Sequence, residues 1–103
     1  MFIIKLSFSF EQNLDHSETE NKAKAFMPEH LAWLQRGFDK GVFLLSGSLQ
    51  PELGGGIIAH NISREALDTL LREDPFVTEQ IVTPEIIEIL PSKTDDRLNF
   101  LLD

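Results

Sequence analysis

The sequence predicts an α+β protein with a ferredoxin-like fold, in which an antiparallel sheet with the chain order βαββαβ carries its helices on one face. Hydrophobic patterns typical of strands and helices follow each other in that order over residues 2–90. Two right-handed split βαβ units in tandem give this sheet. A length of 103 residues is enough for one hydrophobic core but not for two. We therefore expect a single domain over residues 1–103, with its core in residues 1–91.

The first strand is predicted by an alternating pattern at the N-terminus. Every second residue from Phe2 to Phe10 is apolar, and the residues between them, among them Lys5, Ser7 and Ser9, are mostly small or polar. Successive side chains of a strand point to opposite faces of the sheet, so this pattern gives one apolar face.

The first helix is predicted to begin near Ser17 or Thr19 and to end at Gly41. Ser17 and Glu20 have the spacing of a capping box. Pro28 either kinks this helix or begins its second part, because proline is tolerated only in a first helical turn without distortion. Glycine is the residue most often found just after a helix C-terminus.

A histidine lies on the apolar face of this helix. At 100° per residue the apolar side chains of residues 26–38 form one broad stripe, and His30 lies within it. An unpaired imidazole in an apolar environment costs free energy, so we expect His30 either to have a buried partner or to line a cavity. Gly37, on the same face, would leave room for another backbone or a small ligand. The stripe consists of Phe26, Met27, Leu31, Trp33, Leu34 and Phe38.

The middle of the chain is predicted to form a hairpin. A short buried strand is expected over residues 42–45, continuing to residue 49, and a third strand over residues 57–62. The glycine run of residues 54–56 precedes a strand rather than a helix, which favours a hairpin loop over a phosphate-binding loop.

The last third of the chain is predicted to contain a helix, a short helical turn and a strand. Ser63 caps the helix, whose apolar positions are Ala66, Leu67, Leu70 and Leu71. Asp74 and Pro75 begin a turn of helix through Gln80, with aspartate as the cap and proline in the first position. The fourth strand spans residues 83–90, and its run of isoleucines indicates burial on both faces. Residues 92–103 are expected to dock on the body or on a second subunit.

Composition and charge exclude several classes of function. The formal net charge of −8, with no cluster of lysine and arginine, disfavours nucleic acids and anionic membrane surfaces as partners. The chain has no cysteine, which excludes disulfides, thiolate metal sites and cysteine nucleophiles. No secretory signal and no stretch of membrane-spanning length is visible, so we expect a cytoplasmic protein.

A homodimer is expected from the predicted sheet. Helices on one face leave the other face open, and Ile3, Ile58 and Ile87 would supply apolar surface there. A two-fold dimer would cover both sheets at once.

Neither a metal site nor a nucleophilic serine is predicted. His16 lies in an acidic segment where we expect it to be solvated, and His60 lies beside Asn61 and is expected to make a surface or interface contact. Three histidines spread in this way form no paired ligand motif, so we expect no metal and no cofactor. The serines lack a nucleophile elbow.

Four short motifs resemble the YciI-like family of the dimeric α/β-barrel superfamily. They are Pro28-Glu29-His30-Leu31, Gly41 before the second strand, Ser46-Gly47 within that strand, and Asp74-Pro75-Phe76 after the second helix. The resemblance runs over most of residues 1–91, and the order and spacing of the motifs carry it.

This resemblance implies a ferredoxin-like fold, a dimer formed by sheet-to-sheet packing, and an active-site pair of His30 and Asp74. A related enzyme dehydrochlorinates a chlorinated hydroxyquinol, and the wider superfamily includes muconolactone isomerase and haem-handling monooxygenases. The chain departs from the family in two places: the first helix has an acidic N-terminal half, and Pro51 lies several residues after Gly47 instead of next to it. The second departure affects the rim of the pocket.

A carboxylate bound to one imidazole nitrogen fixes the tautomer, so that the other nitrogen can accept a proton near neutral pH. His30 would be this base and Asp74 its partner. The structural alternative is that Asp74 is only a helix cap and His30 a satisfied core histidine.

The predicted substrate pocket surrounds this pair. Trp33, at the edge of the apolar stripe, would form a wall, and Gly47 would let a substrate approach the main chain. Ser46 and Ser48 are alternatively explained as strand-end serines that bond to backbone. The predicted pocket residues are Trp33, Leu34, Gly37, Ser46, Gly47, Ser48 and Phe76.

Two functions of different class follow. The first is a cofactor-free enzyme that uses His30 and Asp74 for elimination, isomerisation or hydrolysis on a small cyclic or aromatic molecule. The second is a non-catalytic dimeric module that binds a small metabolite or a protein partner, in which the pair is a buried polar tie.

Overall fold

A computed structural model describes residues 1–9 and 16–102 of the chain. Four strands, three α-helices and a 3-10 helix follow one another along these residues. They are β1 (Phe2–Phe8), α1 (His16–Asp39), β2 (Phe43–Leu49), β3 (Gly54–Ala59), α2 (Arg64–Leu71), α3 (Pro75–Thr78), β4 (Val82–Glu88) and the 3-10 helix Asp96–Leu102.

The four strands form one antiparallel sheet in the spatial order β2-β3-β1-β4. This is the predicted ferredoxin-like arrangement, and it confirms the predicted fold class. Ile4 of β1 pairs with Ile57 of β3 and Ile86 of β4, so these side chains share one face. That face and the helices enclose the core, which includes Trp33 and Leu67.

The opposite face of the sheet is open in this chain. Ile3 pairs with Ile58 on one side and with Ile87 on the other, so the three side chains form one row across the sheet. Ile87 is 43% exposed. Successive residues of a strand point to opposite sides, so the alternating pattern of β1 predicts Ile3 on the face opposite to Ile4. The row lies on that face.

Helix α1 runs without a break over 24 residues, with Pro28 inside it. It begins at His16, one residue before Ser17. The side chain of Ser17 lies outside the described part of the structure. Residues 10–15, which include Phe10 of the predicted first strand, lie outside it as well. The helix ends at Asp39, and Gly41 adopts a φ of 73°, the left-handed conformation common just after a helix C-terminus.

The third strand is shifted from its predicted position. It spans Gly54–Ala59 rather than residues 57–62, so the glycine run belongs to the strand and not to a hairpin loop. Gly55 pairs with Leu6 of β1 and Ser48 of β2. Pairing on both sides of the strand overrides the low strand propensity of glycine.

Two strands are less buried than predicted. In β2 only Phe43 is buried, and Leu45 is 55% exposed. In β4, which ends at Glu88, Ile87 and the following Leu90 are exposed. The prediction of burial was wrong for both strands. β2 and β4 are the two edge strands of the sheet, and one face of the sheet is open, so most of their side chains are exposed.

The two short helices begin at the predicted caps. The Ser63 hydroxyl accepts a hydrogen bond from the backbone N–H of Ala66, and Asp74 caps α3 with Pro75 in its first position. Leu67, Leu70 and Leu71 of α2 are buried, whereas Ala66 is exposed. No helix in the described ranges is both long enough and apolar enough to cross a bilayer.

The C-terminal segment contacts the body of the chain through an aromatic pair. Phe100 of the 3-10 helix meets the ring of His60 at a centroid distance of 5.4 Å. None of the residues of this helix is buried, and Leu98 is 44% exposed. A hydrogen bond from the Arg97 side chain, with a second from its backbone N–H, holds the pKa of the exposed Asp95 below its usual value.

Candidate active site

His30 and Asp74 meet in the folded chain although 44 residues separate them. The Nδ1 atom of His30 lies 2.8 Å from Oδ1 of Asp74. The side chain of Asp74 is fully buried and that of His30 is 11% exposed. The pair therefore links α1 to the start of α3 in a largely dry environment.

The cap of α3 fixes the aspartate. Oδ1 of Asp74 also accepts a hydrogen bond from the backbone N–H of Phe76, at 3.0 Å. The backbone N–H of Asp74 donates to the carbonyl of Leu71, the last residue of α2. Pro75 restricts the backbone at the first helical position. The carboxylate is therefore held by the same cap that the sequence predicts.

A ring contact and a hydrogen bond of the neighbouring Trp33 position the histidine. Its ring is stacked on that of Phe76, with centroids 4.0 Å apart and planes inclined by 3°. One turn further along α1, the indole Nε1 of Trp33 donates to the carbonyl of Leu70 at 2.9 Å. This bond attaches α1 to the last turn of α2, four residues before Asp74. Helix propensity alone does not predict it.

The hydrogen bond determines which nitrogen of His30 is available. An ionised carboxylate only accepts hydrogen bonds, so Nδ1 of His30 must carry the shared proton. In the neutral ring Nε2 is then the proton acceptor. The second carboxylate oxygen, Oδ2 of Asp74, is buried and has no hydrogen-bond partner in residues 1–9 and 16–102. The negative charge of Asp74 is therefore stabilised through Oδ1, which accepts hydrogen bonds from Nδ1 of His30 and from the backbone N–H of Phe76.

His30 lines a cavity of about 280 Å³ between α1 and the helix-covered face of the sheet. Apolar side chains form most of its wall, and Ser46 and Ser48 contribute hydroxyl groups. Such a mixture of apolar walls and a few polar groups is typical of small-molecule sites. The lining residues are Leu6, Phe8, Met27, His30, Leu31, Leu34, Ser46–Ser48, Gly54–Ile57, Phe76 and Val82.

Five of the predicted pocket residues line this cavity: Leu34, Ser46, Gly47, Ser48 and Phe76. The side chains of Ser46 and Ser48 make no hydrogen bond within the described part of the chain, contrary to the alternative in which they bond to backbone. Both serines are exposed, so their hydroxyls are accessible to a ligand.

Two predicted pocket residues lie elsewhere. Trp33 is completely buried in the core, where its ring meets Phe43 edge to face at 5.2 Å. A Cβ atom on Gly37 would overlap the ring of Phe43. The space that Gly37 leaves is therefore occupied by the Phe43 side chain of β2 and not by a ligand. Trp33 lies in the core next to His30 and does not form a cavity wall.

Several cavity residues were not predicted. Met27 and Leu31 belong to the apolar stripe of α1 and are 38% and 53% exposed because they face the cavity mouth. Leu6 and Phe8 belong to the apolar face of β1. Gly55 was placed in a loop, although a glycine run next to a strand could have indicated a close approach of backbone and ligand.

His60 takes no part in this site, because it follows β3 and contacts Phe100. The side chain of His16 lies outside the described residues. Among the residues that the structure describes, no three His, Cys, Asp or Glu side chains come together in a way that could hold a metal ion.

Comparisons with known proteins agree with this fold. The family model described as the YCII-related domain matches residues 9–91. A solved structure of 5-chloro-2-hydroxyhydroquinone dehydrochlorinase from Burkholderia phenoliruptrix, in complex with 2,5-dihydroxybenzoquinone, superposes with a TM-score of 0.64. It is 13% identical, and the match covers 86% of this chain and 93% of the enzyme. No curated protein matches the sequence.

The solved structure shows a shared fold, since 13% identity carries no more than that. The family model covers more than half of the chain and includes both members of the histidine–aspartate pair. The chain therefore belongs to the YCII-related domain family.

Proposed function

We propose that this protein is a cofactor-free enzyme that performs acid–base chemistry on a small cyclic or aromatic molecule. The observation that carries the proposal is the 2.8 Å contact of His30 with the buried Asp74, on a ring that also lines a cavity. The reaction class is elimination, isomerisation or hydrolysis, because each of these requires a proton to be removed and returned.

The proposed mechanism uses Nε2 of His30 as the base. Nε2 accepts a proton from the bound substrate, and the ring becomes positively charged while Nδ1 keeps its proton. The Asp74 carboxylate, 2.8 Å away, stabilises this charge in surroundings of low polarity. The same proton then returns to a leaving group or to another atom of the substrate. General acid–base catalysis of this kind contributes about 10²–10⁴-fold to a rate.

The cavity supports a small substrate. Its volume of about 280 Å³ is just below the range typical of sites for drug-sized ligands, which suits a small molecule. Apolar walls favour an unsaturated or aromatic ring, and the hydroxyls of Ser46 and Ser48 could bond to oxygen substituents. The structurally similar dehydrochlorinase binds a ring of this type, 2,5-dihydroxybenzoquinone.

One observation favours a second function, in which the pair is a structural tie in a binding module. Asp74 is fully buried and caps α3 through Phe76, so it has a structural role whatever the chemistry. In that case His30 would satisfy the carboxylate and the cavity would bind a metabolite without turnover, or the dimer a protein partner.

Activity with a defined set of compounds separates the two functions. Chlorinated and unchlorinated di- and trihydroxybenzenes are incubated with the wild-type protein and with His30→Gln, and ring absorbance and chloride release are followed. Turnover by the wild type that is lost in His30→Gln supports the enzyme. Binding of these compounds without turnover by either protein would contradict it and favour the binding module.

We further propose that the protein acts as a cytoplasmic homodimer joined through the open face of the sheet. The row of Ile3, Ile58 and Ile87 supports this arrangement because it leaves apolar surface in water. Light scattering should give twice the chain mass for the wild type and the chain mass for Ile87→Lys. A monomeric wild type would contradict the proposal.

A further inference from the structure

Three consecutive glycines lie within β3, next to two other strands. Glycine weakens a strand because it has more conformational freedom to lose than other residues and no side chain to pack. A glycine in a strand therefore has a reason in the surrounding structure, such as an unusual backbone conformation, a close neighbour or a ligand.

Two of the glycines have a reason within the protein. Gly54 adopts a φ of 130°, and a Cβ atom there would overlap the carbonyl oxygen of Leu6. On Gly56, a Cβ atom would lie 3.1 Å from a methyl carbon of Leu49, which is a tight contact. Neither position needs a ligand to account for its glycine.

Gly55 has no such reason. Its φ is not positive, and the nearest atom to an added Cβ would be the carbonyl oxygen of Gly47 at an ordinary 3.6 Å. Gly55 pairs with Leu6 and Ser48, which both line the cavity. Directly paired residues point to the same side of a sheet, so a side chain on Gly55 would enter the cavity.

We propose that Gly55 is a specificity-determining residue, whose bare peptide forms the floor on which a flat ring lies. The inference rests on the proposed function and defines its substrate class as planar rings. Side chains of α1, among them Leu31 and Leu34, line the opposite side of the cavity, so the space for a ring lies between helix and sheet. A methyl group at Gly55 protrudes into one part of that space, so a small ring can lie beside it, whereas a larger ring system that covers the whole floor meets it.

Binding of two neutral planar probes, phenol and 2-naphthol, tests the proposal. Dissociation constants are measured by titration with NMR detection for the wild type, Gly55→Ala and Gly55→Val. We expect the wild type to bind both probes. Gly55→Ala should lose at least tenfold in affinity for 2-naphthol and less than threefold for phenol, and Gly55→Val should bind neither. Wild-type affinity of Gly55→Ala for 2-naphthol, or a wild type that binds neither probe, would overturn the proposal.

The thermal midpoint shows whether the added methyl group meets open space. Alanine is less costly than glycine in a strand, so the midpoint of Gly55→Ala should equal or exceed that of the wild type. A midpoint several degrees lower would show that the methyl group clashes with the protein, and would overturn the assignment of Gly55 to the cavity floor.

The outcome for Gly55 is distinguishable from that for the catalytic pair. The binding assay needs no turnover, so it reports on Gly55 whether or not the protein is an enzyme. Turnover that persists in His30→Gln would contradict the proposed chemistry and leave the role of Gly55 intact. An unchanged probe preference in Gly55→Ala would contradict the role of Gly55 and leave the chemistry intact.

Discussion

His30 and His60 are both half-buried and both contact a phenylalanine ring, but they differ in hydrogen bonding and in access to the cavity. His30 is stacked flat on Phe76 at 4.0 Å, bonds to a fully buried carboxylate and lines a cavity. His60 meets Phe100 at 5.4 Å with the rings inclined by 70°. Its side chain has no hydrogen bond to the described residues and does not line the cavity beside His30.

The difference shows what makes a histidine suited to chemistry. An aromatic neighbour provides packing at both positions. At His30, but not at His60, a carboxylate fixes the proton on one ring nitrogen and leaves the other nitrogen available. His30 also lies next to a space that a small molecule can enter.

Removal of each imidazole tests the comparison most severely. His30→Gln should lower kcat/KM for any hydroxylated aromatic compound that the wild type converts by about 10²–10⁴-fold, because the proton acceptor is lost. His60→Gln is the matched control and should stay within twofold of the wild type. Equal losses in the two variants would show that the histidines do not differ in function.

Replacement of the carboxylate tests what distinguishes His30. Asp74→Asn keeps a side chain that can cap α3 but removes the charge that stabilises the protonated ring. We expect kcat to fall by about 10²-fold, less than in His30→Gln, with α3 still formed. Kinetics together with circular dichroism measure both effects. A kcat equal to that of the wild type would mean that the aspartate is only a cap.

Trp33→Phe tests how the histidine is supported. The variant loses the hydrogen bond to the carbonyl of Leu70 and some core volume, so the free energy of unfolding should fall by about 1–3 kcal/mol. Urea denaturation measures this change. An unchanged free energy of unfolding would show that the attachment of α1 to α2 does not depend on this bond.

The two aromatic partners give the smallest effects. Phe76 is 6% exposed and Phe100 is 44% exposed. Phe76→Leu should lower the free energy of unfolding by about 1–2 kcal/mol, and Phe100→Leu should change it by less than about 0.5 kcal/mol. Urea denaturation of both variants in one buffer gives the comparison. A larger loss for Phe100→Leu would mean that the C-terminal segment contributes more to stability than its exposure indicates.

Most of the fold could be predicted from local patterns. Alternation in β1, the cap at Ser63 and the pair Asp74-Pro75 each depend on a few neighbouring residues, and the structure has all three elements where these patterns predict them. The glycine run was misassigned because glycine disfavours strands, and one of the two flanking strands that stabilise it, β1, is distant in sequence.

The site was harder to predict because its residues come from four strands and two helices. His30 stands out as a polar residue on an apolar stripe, but its link to Asp74 followed from family resemblance. The space beside Gly37 could be recognised, but the sequence does not specify that Phe43 occupies it. The bond from Trp33 to the Leu70 carbonyl depends on the packing of two helices and leaves no local signature.

The proposed chemistry requires that Asp74 holds the proton on Nδ1 of His30 and leaves Nε2 free to accept one. Long-range proton–nitrogen NMR correlations of the histidine ring measure this directly, because they distinguish the two neutral tautomers from each other and from the protonated ring. We expect His30 to carry its proton on Nδ1. A proton on Nε2 would contradict the proposed chemistry, because Nε2 could then not act as the base.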